Sequence, residues 1–111
     1  MFYTFSQNNS GGEFKVDENT KHYTIIEANN AEEANQIAIN KTDIYFDGVE
    51  RGWDCPCCGD RWCKVDDLDG TDKPTIYGKD VFEYKFSMGF REEFIVHYAD
   101  GRKVVGKCYN E

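Results

Sequence analysis

Four of the five cysteines fall within nine residues, Cys55-Pro56-Cys57-Cys58-Gly59-Asp60-Arg61-Trp62-Cys63, and the fifth is Cys108. Cys55-x-x-Cys58-Gly59 has the form of half a zinc knuckle, in which two thiolates converge on one ion while glycine lets the backbone turn toward the sulfurs. Cys63 sits five residues on, where a compact knuckle places its third ligand. The next such position is Leu68, which cannot ligate. The candidate structural zinc set is therefore Cys55, Cys58, Cys63 and Cys108, with Cys57, His97, His22 or a carboxylate as alternatives for the fourth place. Reduced thiols packed in a tight loop as small apolar groups are the competing reading. Redox chemistry is disfavoured, because nothing after Cys58 reads as the helix N-terminus that lowers a thiol pKa.

The same loop carries two indoles and two guanidiniums. Arg51, Trp53, Arg61 and Trp62 would suit a stacked nucleotide or a hot spot for a protein partner, against the alternative that both tryptophans pack beneath the loop. Asn8-Asn9-Ser10-Gly11-Gly12 offers amides and backbone N–H groups to an anion, as a nest does, or forms a plain surface loop. Ligand or partner candidates are thus Asn8, Asn9, Ser10, Gly11, Arg51, Trp53, Arg61 and Trp62. Asp67-Leu68-Asp69-Gly70 fails as a calcium loop, since aligning Gly70 with the loop glycine puts Val65 and Ile76 at ligand positions. It reads as a solvated acidic loop. His22 and His97 have no nucleophile spaced to them in a local signature, and the pairs Glu32-Glu33 and Glu92-Glu93 diverge on a helix or strand, so no catalytic set emerges. The chain is not expected to be an enzyme.

The elements that must position these residues are mostly strands. Leu68 is the lone leucine beside 7 Val, 7 Ile, 8 Phe and 7 Tyr, types that suit a pleated, half-buried surface. Phe2 to Phe5 and Glu13 to Val16 read as a hairpin around a long polar loop, and His22 to Ala28 as a strand. Asn30 with Glu33 three residues on predicts a capped helix over 31–40, whose Ala31, Ala34 and Ala38 let it lie close to a sheet. Asp43 to Phe46 reads as a strand, and 52–63 as a Cys-rich irregular loop. Val81 to Phe86, Glu93 to Tyr98 and Lys103 to Lys107 form a C-terminal three-stranded meander, with Asp100-Gly101 as the last turn. The fold class is α+β: one domain over 1–111, a mostly antiparallel sheet and one helix packed on a face.

Length and charge narrow the classes further. The chain has 111 residues and a formal net charge of −8, enough for one hydrophobic core and too acidic for ordinary DNA or RNA binding. No apolar run is long enough to span a membrane and no secretory signal is visible, so a cytoplasmic location is expected. Exposed β edges leave homo-oligomers open.

Phe2 to Phe5, Asn8-Asn9-Ser10-Gly11-Gly12, Tyr45-Phe46-Asp47-Gly48, Asp54 to Trp62 and Ile76-Tyr77-Gly78 together resemble a group of small uncharacterised proteins of tailed bacteriophages. That resemblance covers roughly the first 78 residues and carries no activity. It implies an infected bacterial cytoplasm, and hence host takeover or evasion of host defence. The expected function is a non-enzymatic phage accessory protein that counteracts a host defence factor by binding. It would act as an acidic inhibitor of a host protein or as a sponge for a small nucleotide immune signal. The alternative is a zinc-stapled structural or nucleic-acid-binding module, with the loop tryptophans and arginines stacked on a single strand.

Overall fold

The computed structural model describes residues 1–8, 14–57, 59–83 and 92–107. Its elements in chain order are β1 (Phe2–Ser6), β2 (Tyr23–Glu27), α1 (Ala31–Lys41), β3 (Thr75–Ile76), β4 (Lys79–Asp80), β5 (Glu93–His97) and β6 (Lys103–Lys107), with a short 3-10 turn at Asp67–Asp69. The fold is α+β, with one helix on a mostly antiparallel sheet. That sheet runs β1-β2-β5-β6, and β3 with β4 forms a separate two-stranded hairpin. Both outer pairs are antiparallel; the central pair, β2 with β5, is parallel, with Tyr23 opposite Phe94 and Ile26 opposite His97.

Alternation along the strands gives the sheet two buried faces. Phe2, Tyr23, Ile25, Phe94 and Val96 point to one face, where Ile76 and Val81 of the hairpin region cover them. Tyr3, Phe5 and Ile26 point to the other, against Ala31, Ala34 and Ala38 of α1, Ile44 and Trp62. The alanine stripe has no side-chain bulk to hold the helix off the sheet, as the sequence predicts. On β6, Gly106 lies under the Phe94 ring: a Cβ there would stand 2.3 Å from Cζ of Phe94, so only glycine admits that close approach.

The helix begins as its cap sequence dictates. The Asn30 side chain accepts from the Glu33 N–H at 2.9 Å, while the Glu33 carboxylate reaches back to the N–H of Asn29 rather than that of Asn30. Asp67, from the acidic loop, accepts from the N–H of Ala31 at 2.9 Å, satisfying another orphan donor of the first turn. Among the described residues no helix is long and apolar enough to cross a membrane.

Three strand expectations need correction. Residues 43–46 are not a strand, because their amides are diverted to side chains: the Asp43 N–H donates to Oγ1 of Thr20 and that of Ile44 to Oγ1 of Thr42. Residues 14–16 are not one either. Gln7 takes the place of a ladder partner, accepting from the Lys15 N–H at 2.6 Å and donating to its carbonyl at 3.0 Å, and β1 pairs with β2 instead. Residues 81–83 form a turn after β4, and 84–86 lie outside the described residues, so the C-terminal unit described is the β5-β6 hairpin. Its turn holds Gly101 at φ +93°, the left-handed region glycine enters without cost.

Candidate functional site

The irregular loop after α1 is organised around Asp54, which is buried. One carboxylate oxygen accepts from the Tyr45 hydroxyl at 2.8 Å, and the other accepts from the Arg61 N–H at 2.8 Å. Gly48 makes room for that carboxylate, since a Cβ at position 48 would stand 1.8 Å from Oδ2 of Asp54. Burial, then the bond to Asp54, raises the Tyr45 pKa above the ordinary phenol value, so its hydroxyl remains a donor. Asp60 adds a second brace by accepting from the Val49 N–H at 2.8 Å.

This scaffold separates the expected binding residues into two groups. Arg61 is 3 % exposed and Trp62 1 % exposed. Arg61 pairs with Asp54 and donates to Oε1 of Gln7 at 3.0 Å, while Trp62 fills the core between sheet and helix. Trp53 is 56 % exposed. Its ring meets that of Tyr45 edge-on at 5.2 Å, and the Arg51 guanidinium lies 4.9 Å from the Trp53 ring centroid while pairing with Asp47. Arg51 and Trp53 are thus together at the surface, and Arg61 and Trp62 are together beneath it.

Asn8 is built into the loop: its N–H donates to the Arg61 carbonyl at 2.9 Å and its side-chain amide to that of Asp60 at 3.3 Å. Asn9, Ser10 and Gly11 lie outside the described residues, as do Cys58 and Cys108. Cys55 is half-buried, and Cys57 and Cys63 are exposed as free thiols. Gly59 takes a left-handed φ of +86° and its N–H donates to the Cys55 carbonyl at 3.0 Å. Among the described residues, no three His, Cys, Asp or Glu side chains gather closely enough to hold a metal ion.

Both histidines have backbone partners. Nδ1 of His22 accepts from the Glu93 N–H at 3.1 Å, and Nε2 of His97 bonds the Asn19 carbonyl at 2.8 Å, which makes that nitrogen the donor. Burial is the largest influence on His97 and holds its pKa below the ordinary imidazole value.

The concave surface nearest the Arg51–Trp53 pair is a groove of 480 Å³ lined by Ile39, Ile44, Tyr45, Phe46 and Lys64 among others. Two more grooves adjoin it. One, of 600 Å³, runs between the N-terminal turns of α1 and residues 64–67. The other, of 490 Å³, runs beside β1 between residues 63–69 and the β3-β4 hairpin. Lys64 borders all three. The segment they share is pinned to the helix by Asn35, whose amide donates to the Val65 carbonyl and accepts from the Val65 N–H, each at 3.0 Å.

Charge over this joined surface is one-sided. Its linings include the carboxylates Glu32, Asp43, Asp47, Asp66, Asp67 and Asp69, and the cations Arg51 and Lys64. Of the two cations, Arg51 is paired to Asp47 and Lys64 lies 6.0 Å from the Phe46 ring centroid. Tyr45, Phe46, Lys64 and Leu68 were not among the residues the sequence singled out as binding candidates. The available signal was composition: the chain's lone leucine, inside a run of aspartates, is 95 % exposed.

No curated protein and no solved structure matches the chain. A family model described as a domain of unknown function (DUF7296) matches residues 1–109, and the chain belongs to that family.

Proposed function

We propose that this protein is a non-enzymatic accessory protein of a tailed bacteriophage that counteracts a host defence factor by binding a basic surface on a host protein. The observation that carries the reading is the joined surface around Lys64, where six carboxylates face two cations. Such a field steers a positively charged partner and works against a phosphate-bearing one. Trp53, Tyr45 and Arg51 at its margin are the residue types that dominate binding energy when an interface closes over them. Engagement of both histidines by backbone groups also favours binding over catalysis. The phage setting rests on the resemblance carried by the N-terminal 78 residues.

The same surface ranks the other readings lower. A nucleotide sponge or a nucleic-acid module would need cations free to meet phosphate, and Arg51 is committed to Asp47.

The test is affinity capture from a bacterial host lysate by the immobilised protein and by a Glu32→Lys/Asp43→Lys/Trp53→Ala variant. Among the described residues neither the Glu32 nor the Asp43 carboxylate serves a cap or an ion pair, so the variant should fold normally. A basic host protein retained by the wild type, lost from the variant and released as salt rises from about 0.1 to 0.5 M is the expected result. Equal retention by both proteins, or capture of nothing that salt releases, overturns the reading.

A further inference from the structure

The parity of β1 assigns its main-chain groups to two sides. Met1, Tyr3, Phe5 and Gln7 turn toward β2, as the bonds from the Ala28 N–H to the Met1 carbonyl and from the Gln7 N–H to the His22 carbonyl require. Phe2, Thr4, Ser6 and Asn8 therefore turn outward. At one end Phe2 exchanges both of its main-chain bonds with Thr71, at 2.7 and 2.9 Å. At the other the Asn8 N–H meets the Arg61 carbonyl. Between these closures the outward N–H and C=O groups of Thr4 and Ser6 meet no main-chain partner among the described residues.

This gap in the edge is the floor of the 490 Å³ groove. One wall carries Leu68, 95 % exposed on the tip of its 3-10 turn. The other carries Tyr77, 74 % exposed. Tyr77 and Gly78 form the two-residue turn of the β3-β4 hairpin with φ of +53° and +78°. Two positive φ values are those of a type I′ turn, where Asn or Gly is the unstrained choice for the first position. A tyrosine held there and presented to solvent costs folding energy, and its ring meets that of Tyr23 edge-on at 6.0 Å.

We propose that the open edge at Thr4 and Ser6 receives an extended, Lys/Arg-bearing segment of a partner protein as an added strand, clasped between Leu68 and Tyr77. Main-chain bonds to Thr4 and Ser6 supply affinity, and the flanking side chains supply selectivity. The basic character of the segment follows from the acidic surface onto which this groove opens: Asp69 lines it beside Leu68, Glu32, Asp66 and Asp67 line the adjoining groove on the far side of residues 64–65, and Lys64 is the one cation lining the two. The inference deepens the proposed basic-partner reading by naming the form in which the partner binds.

The probe is an acetylated, amidated peptide of alternating Lys and Val, about five residues long so that it fits between the closures at Phe2 and Asn8, titrated into the full chain. It should slow amide exchange at Thr4 and Ser6 by about tenfold or more, leaving Tyr3 and Phe5 unchanged. In an added strand only alternate amides face the neighbour. N-methylation of one alternate set should therefore abolish binding and N-methylation of the other should be tolerated, at identical charge. The Glu-Val counterpart should not bind. Ser6→Pro removes an outward N–H without touching the ladder to β2, so it should keep the fold and lose the peptide.

Equal binding by both methylated peptides would mean attraction by charge alone; strand addition would fall while the acidic-surface reading stood. Failure of the parent peptide to bind overturns the strand proposal. A dimer of the free protein that Ser6→Pro dissolves also overturns it, because a second copy would then own the edge.

Discussion

Asp54 and Arg61, seven residues apart on one irregular loop, form an ion pair with both side chains buried and Nε of Arg61 3.5 Å from Oδ1 of Asp54. The carboxylate also bonds Tyr45 and the Arg61 main chain, so a single side chain ties together the start, middle and end of the segment. Asp54→Asn removes the charge and replaces one acceptor with a donor facing donors. A loss of about 3–5 kcal/mol in chemical denaturation is expected, the usual cost of leaving a buried charge uncompensated.

The two tryptophans should separate stability from binding. Trp62→Ala empties a fully enclosed site between sheet and helix and should cost about 3–5 kcal/mol. Trp53→Ala should stay within about 0.5 kcal/mol of wild type while weakening partner capture. Iodide quenching gives an independent check: the emission lost in Trp53→Ala should be the quenchable part.

Gly106→Ala should destabilise by about 1–3 kcal/mol, because the new methyl must displace the Phe94 ring from the core. The effect should be non-additive with Phe94→Leu, which vacates the contested space. Equilibrium unfolding of the two single variants and the double variant measures the coupling.

His97 gives the fold an acid sensitivity of known sign. Its folded-state pKa lies below the ordinary 6.5, chiefly through burial, with Lys103 and Lys41 adding to the depression and the Asn19 carbonyl opposing it. Protonation therefore favours the unfolded chain. The contribution is complete above pH 6.5 and falls as pH drops through the range between the unfolded and folded values. His97→Gln should flatten stability against pH below about 6.5 relative to wild type.

The cysteine loop is braced by Asp54 and Asp60 through bonds that involve no thiol. Treatment with a strong chelator under reducing conditions should leave the melting temperature within about 2 °C of its starting value. A larger drop would identify bound metal as part of the fold.

What the sequence made legible was local. The cap at Asn30, the alanine stripe of α1 and the Asp100-Gly101 turn each involve neighbours within a few residues, and each is where the pattern put it. The false strand at 43–46 has a β-rich sequence, but Thr20 and Thr42 offer its amides nearer acceptors than any strand does. Arg61 and Trp62 looked like surface anchors because arginine is almost never buried without a partner. The partner, Asp54, was in plain view, yet only the loop's path brings the two together. Leu68 was passed over for the opposite reason, as a solvated loop residue, when its exposure is what makes it a candidate contact.

The parallel pairing of β2 with β5 sets an order on assembly. Tyr23 meets Phe94 about 70 residues later in the chain, and this central pair must close before either outer strand has a complete sheet to join. Long-range pairing of this kind slows folding relative to helical proteins of the same length. On a ribosome, β1, β2 and α1 can associate early, with α1 covering Ile26, but the Ile25 face waits for Ile76 and Val81, and the inner edge of β2 stays unpaired until His97 has been synthesised. The half-made protein is thus at its most adhesive during the last stretch of translation.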